Sequence, residues 1–138
     1  MKSKIILLTA AVGLIVHTGC KSHEGAYAPV LKESHETENR EPLVLMDPGA
    51  QRSISTTGIQ RRTMEDGRLQ VTANIVNREN RRLQVQVNCV FKDAQGFSTG
   101  DESPWRTLIL TENSQESVSF TSLNDKAEKF TIRVREAR

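Results

Sequence analysis

Leu83-Gln84-Val85-Gln86-Val87-Asn88-Cys89-Val90-Phe91-Lys92 decides the fold. Leu83, Val85, Val87, Cys89 and Phe91 alternate with Gln84, Gln86, Asn88 and Lys92, and only the apolar Val90 breaks the pattern. A period of two sends alternate side chains to opposite faces, so this segment reads as a strand with one buried and one wet face. Downstream, Asp93-Ala94-Gln95-Gly96 reads as a polar turn. Phe97 and a Ser/Gly/Asp loop ending in Ser103-Pro104-Trp105 follow it.

The flanks repeat the alternation. Upstream, Leu69, Val71, Ala73 and Ile75 interleave with Gln70, Thr72 and Asn74. Only the polar turn Asn77-Arg78-Glu79-Asn80 separates this strand from the central one, so the two are expected to pair antiparallel. Asp66-Gly67 predicts a hairpin back to a Thr-rich strand over Ser53–Thr63, kinked at Gly58. Leu43–Met46 is a short edge strand stopped by the turn signal Asp47-Pro48-Gly49. Further strands are expected at Leu108–Leu110, around Val118 and Phe120, and at Phe130, Ile132 and Val134. No helix longer than a turn is expected. Short, regularly spaced strands predict an all-β domain, an antiparallel immunoglobulin-like β-sandwich of about seven strands over residues 42–138. A small barrel is the alternative. Aromatics are 4% of the chain, so aliphatic side chains must fill the core, and Trp105 is expected to pack there, with exposure in a ligand groove as the alternative.

The amino terminus carries a different signal. Lys2 and Lys4 precede an uncharged apolar run from Ile5 to Val16, closed by Thr18-Gly19-Cys20. Twelve residues span only about 18 Å as a helix, short of the ~30 Å hydrocarbon core. Residues 1–19 therefore read as a signal peptide. The small residues before Cys20 resemble a lipobox, with His17 standing where that motif carries an aliphatic. The resemblance implies a diacylated Cys20 as mature N-terminus and, with Lys21 and Ser22 after it in place of Asp, sorting to the outer membrane, facing the periplasm. Residues 20–41 read as the lipidated cysteine and a flexible polar tether, with three basic and five acidic residues after Cys20 and Pro29 interrupting it. His23 and His35 in that tether are twelve apart and lack a third ligand at a recognised spacing, so they are read as solvated.

Charge and chemistry narrow the function. Lys2 and Lys4 account for the whole formal charge of +2, and the rest of the chain is neutral, which argues against a nucleic-acid partner. From residue 42 onward there is no histidine, so neither a Ser-His-Asp nor a Cys-His arrangement can be built. Cys89 lies on the apolar side of its strand and reads as a small core hydrophobe. Asp101 and Glu102, adjacent in a loop, read as solvated. No phosphate loop, metal cluster, cofactor motif or small-molecule substrate is indicated. Arg61 and Arg62, with Arg78, Arg81 and Arg82, form two basic clusters that read first as solvated strand ends and, if they share one end of the sandwich, as a candidate binding surface for an acidic partner, lipid A phosphates or peptidoglycan carboxylates.

The order of several of these segments is similar to the YcfL-like family of bacterial envelope lipoproteins. They are Leu43–Asp47, Leu69-Gln70-Val71, Asn77, Val90–Gly96, Pro104-Trp105 and Phe130–Val134. The resemblance implies a sandwich fold, an envelope location and a link to cell-wall or envelope assembly, with no catalytic residues to carry over. The expected function is a non-catalytic, lipid-anchored binding or accessory module that contacts another envelope protein. A structural subunit of a secretion or surface assembly and a carboxylate-dependent cell-wall enzyme are the alternatives.

Overall fold

Alternating segments satisfy their backbone groups laterally and bury one face each, and here they close into two stacked sheets. The computed structural model describes Pro29 and residues 33–137. The elements run α1 (Glu33–Arg40), β1 (Leu43–Leu45), α2 (Pro48–Ser53), β2 (Ile54–Thr63), β3 (Leu69–Asn77), β4 (Leu83–Lys92), β5 (Ser98–Glu102), β6 (Arg106–Leu110), β7 (Gln115–Thr121) and β8 (Lys129–Glu136). One sheet has the order β1-β8-β4-β5, with β6 also on β4; the other is β2-β3-β7. All pairings are antiparallel except β1 with β8, which run parallel.

The segment Leu83–Lys92 is the centre of the larger sheet. β8 flanks one side along Val85–Lys92, while β6 takes Leu83–Val87 and β5 takes Val90–Lys92 on the other. Leu83, Val85, Val87, Cys89 and Phe91 face the second sheet and meet Leu69, Val71, Ile75, Val118 and Phe120 across the core. Each large aliphatic or aromatic side chain removed from water there contributes roughly 1.5–3 kcal/mol. From Asn88 on, both faces of β4 are covered, which is why the apolar Val90 breaks the alternation.

Four expectations change. β3 does not pair with β4. Asn77 is buried, and its Nδ2 donates to the carbonyls of Arg81 (2.7 Å) and Thr111 (2.8 Å) while its Oδ1 accepts from the Glu79 amide (2.9 Å). These bonds build a corner that carries the chain from one sheet to the other, leaving β3 to pair with β2 and β7. Asp47-Pro48-Gly49 starts α2 instead of a simple turn. The Asp47 carboxylate caps the Ala50 amide (2.8 Å), and Pro48 supplies a fixed φ where no N–H is needed. The Ser/Gly/Asp loop after Phe97 is strand β5, with Gly100 at φ +77° beside the register shift that lets so polar a segment follow β4.

The fourth change concerns residues 33–40, placed by the sequence reading in the tether and found as helix α1. An eight-residue polar helix is not stable alone. Contacts from the sheet hold it: Lys92 Nζ (2.8 Å) and Thr131 Oγ1 (2.8 Å) both donate to the Glu38 carbonyl, and Arg133 reaches the Glu38 carboxylate (3.3 Å). Tertiary anchoring overrides the weak local preference. Cys20, the signal segment and His23 lie outside the described residues.

Candidate functional site

The outer face of the larger sheet gathers an aromatic ring, two guanidiniums and two carboxylates. Because Ile132 and Val134 face inward, Arg133 and Arg135 stand outward on β8, directly opposite Asn88 and Gln86 of β4. Arg135 Nε donates to Gln86 Oε1 (3.0 Å) and Arg133 Nε to Asn88 Oδ1 (2.9 Å). Arg133 also pairs with Glu38 of α1 and with Glu102 at the end of β5, and Asn88 Nδ2 donates to the same Glu102 oxygen (2.7 Å). Only 17% of the Arg133 side chain is exposed, so its charge is neutralised and its donors are fixed.

Trp105 completes this face. Ser103 donates its N–H to the Cys89 carbonyl (2.9 Å) and accepts the Cys89 N–H on its hydroxyl (2.9 Å), which keeps the β5–β6 link against β4. Two residues on, the half-buried indole lies with its ring centre 3.9 Å from the Arg135 guanidinium carbon and 5.3 Å from that of Arg133. Trp105 is thus not the core residue expected from composition. The Arg135 guanidinium stacks on the indole at the surface of the sheet, and Phe91, Phe120 and the Val/Ile/Leu set already fill the interior.

Beside the ring runs an open groove of about 560 Å3, lined by Met46, Asp47, Gln86, Trp105, Arg135 and Glu136. The second Asp47 carboxylate oxygen accepts the Glu136 amide (2.9 Å) along it, tying the β1–α2 corner to the end of β8. Met46 is 47% exposed at its rim, and Ile109 on β6 is 49% exposed on the same sheet. Trp and Arg held in place on a sheet, with an apolar rim, are the residue types that dominate protein recognition energies.

The expected basic surface is split. Arg61 and Arg62 lie at the β2–β3 hairpin end. Arg78, Arg81 and Arg82 lie at the opposite end, six residues or more along β3 and so about 20 Å away. Arg62 donates to Gln70 (2.8 Å). Arg78 is engaged structurally, donating to the carbonyls of Gln51 (2.9 Å) and Arg52 (2.6 Å) at the end of α2. Arg81 pairs with Glu79, whose carboxyl is held below the usual range first by the Ser53 hydroxyl and then by Arg81. The two clusters therefore do not form one surface, because β3 runs between them.

Cys89 is fully buried, and burial, with a smaller push from the Asp101 charge, moves its thiol up to about 12. Such a thiol is inert as a nucleophile. Lys92 is also buried, and burial lowers its pKa. Asp101 is buried rather than solvated and accepts the Leu123 amide, while Glu102 binds Arg133. No group of acidic, histidine or cysteine side chains suited to a metal ion occurs among the described residues. Gln86, Asn88, Arg133 and Arg135 were not singled out by the sequence reading. Their period-two spacing marked a shared face on each strand, but nothing in it paired β8 with β4.

Comparison with curated proteins gives no match. Two solved structures share the fold. Cj0090 of Campylobacter jejuni superposes with a TM-score of 0.56 at 15% identity, over 70% of this chain and 98% of that one. A DUF1425 family member from Shewanella sp. PV-4 superposes with a TM-score of 0.55 at 24% identity, over 62% of this chain and 79% of that one. At these identities the likeness speaks for the fold alone. Residues 42–136 match the profile of the family described as protein of unknown function (DUF1425), and this chain belongs to that family.

Proposed function

We propose that this chain is an outer-membrane lipoprotein, anchored by acyl groups on Cys20 and facing the periplasm, whose sandwich is a non-catalytic module for binding another envelope protein. The observation that carries the reading is the Trp105–Arg135 groove, an aromatic and cationic surface with Met46 at its rim and Asp47 and Glu136 along it. Gln86, Trp105 and Arg135 are held by one another, so little of their entropy is lost when a partner seats against them. The lipobox-like Thr18-Gly19-Cys20 supports anchoring, and an anchor raises the effective concentration of a module near its partner without adding contacts.

The test is a photo-crosslinking residue at Met46 or Glu136 of the full chain in living cells, combined with palmitate labelling. The expected result is acyl label lost in Cys20→Ala, and a discrete crosslink to one envelope protein that disappears in Trp105→Ala. An unlabelled chain removes the anchor from the proposal. A crosslinking pattern unchanged by Trp105→Ala removes the groove.

A further inference from the structure

We propose a second, separate site: the hollow between the end of α1, the end of β2 and the start of β8 binds a phosphate group, with Arg61 and Lys129 as its ligands, Arg40 at the rim and Lys92 beneath.

The hollow measures about 180 Å3, and Arg40, Arg61, Lys92 and Lys129 line it with Glu41 as the one carboxylate. Arg40 is paired with Glu36 (3.1 Å), but that bridge is well exposed and weak. Arg61, Lys92 and Lys129 make no ion pair among the described residues. Lys92 and Lys129 also stand directly opposite each other in the β4–β8 ladder, an arrangement of like charges that weakens a sheet. Lys92 is only 7% exposed. Its Nζ donates to the Glu38 carbonyl (2.8 Å), Thr131 Oγ1 (2.9 Å) and Asn39 Oδ1 (3.4 Å). Those neutral acceptors satisfy its hydrogens, and the carboxylate that faces its charge, Glu38, is shared with Arg133. The surrounding cations come from three separate elements, a helix end, an edge strand and the first residue of β8. A tetrahedral, multiply charged oxyanion can accept from donors arriving on different sides, whereas a planar carboxylate is matched by a single fork. Bound there, a phosphate offsets the Lys92–Lys129 repulsion and the buried charge together.

This chemistry is presented by a phospholipid headgroup or by a free phosphate compound, and the experiment separates the two. The isotope-labelled full chain in neutral detergent micelles is titrated with pyrophosphate, and separately with phosphatidylglycerol added to the micelles. The expected result is saturable amide shifts confined to residues 39–41, 61, 92 and 129–130 with at least one probe. Response to the lipid alone assigns a headgroup, and response to pyrophosphate assigns free phosphate. Arg61→Gln or Lys129→Gln should each weaken binding by about tenfold, as expected for one charge-assisted hydrogen bond, while Arg82→Gln at the far end leaves it unchanged. Without any ligand, Lys129→Gln should raise the thermal midpoint, because it removes a like-charge pair. The proposal is overturned if neither probe gives saturable shifts, if Arg82→Gln weakens binding as much as Lys129→Gln, or if Lys129→Gln lowers the midpoint.

Discussion

Asn77→Ala should destabilise the domain more than its single lost side chain suggests. The amide makes three hydrogen bonds, to the Arg81 and Thr111 carbonyls and from the Glu79 amide, at 2.7, 2.8 and 2.9 Å, and it is 1% exposed. Alanine removes all three, taking this partner from the Glu79 amide and the Arg81 carbonyl and leaving the Thr111 carbonyl only its bonds from Ser114. At about 1 kcal/mol net per bond, the loss is roughly 3 kcal/mol before any relaxation. For a domain of this size that corresponds to a fall in Tm of about 12–24 °C. Asn77→Asp sharpens the test. It keeps the acceptor for Glu79 but turns an oxygen toward two carbonyls, so at neutral pH it should cost more than alanine. The gap should narrow in acid, where a protonated carboxyl can donate again. Urea unfolding followed by circular dichroism and by Trp105 fluorescence gives both values, with an unchanged m expected because the same surface is exposed. A loss below about 1 kcal/mol for Asn77→Ala would refute the account of the corner, since that is the worth of one ordinary bond. So would an Asp variant as stable as the Ala one at pH 7.

Other consequences are smaller or more local. Trp105→Ala should cost about 1–2 kcal/mol in urea unfolding, the range of a partly desolvated cation–π contact, and not the 3–5 kcal/mol of a core aromatic; a core-sized loss would return the ring to the interior. Cys89 should resist an aromatic disulfide reagent at pH 8 in the folded protein and react at once in denaturant, given burial and a pKa of about 12; prompt labelling of folded protein would contradict the packing of β4. Glu79 has a folded pKa below its ordinary 4.5, so it stabilises the fold above that pH and the contribution disappears as pH falls through the depressed value. Glu79→Gln should therefore be less stable than the parent at pH 7 and converge with it in acid, and a stability difference that persists unchanged at pH 2 would exclude that linkage.

Alternation along single strands was legible, and pairing between them was only partly so. Leu83–Lys92, Leu69–Asn77 and Lys129–Glu136 show their inward faces in the sequence because burial of one face writes a period of two. The Asp66-Gly67 hairpin was equally plain, since Gly67 takes φ +83° where few other residues would. Which sheet a strand joins is settled by contacts distant in sequence. Asn77 turns β3 away from β4 through Thr111, 34 residues on, and α1 exists because Thr131, 93 residues away, holds the Glu38 carbonyl. No local window contains such partners.

The same limit explains the candidate site, and it points to where function should be sought in a fold like this. Arginines that look like a cluster in sequence, such as Arg78, Arg81 and Arg82, owe their spacing to a turn, and Arg78 is consumed in closing α2. Arg133 and Arg135 sit two apart in an ordinary strand and become distinctive only when β4 supplies Asn88 and Gln86 and the β5–β6 link delivers Trp105. A site assembled from four strands needs their register fixed before its chemistry exists, so its residues cannot be dense in any one segment. Register here is set by burial of the opposite face, where slipping β8 by one residue would turn Ile132 and Val134 outward and the two arginines into the core. The hydrophobic pattern that makes the sandwich is therefore also what places Trp105 against Arg135, and changes to the inner face of β8 should disturb the groove even though they never touch it.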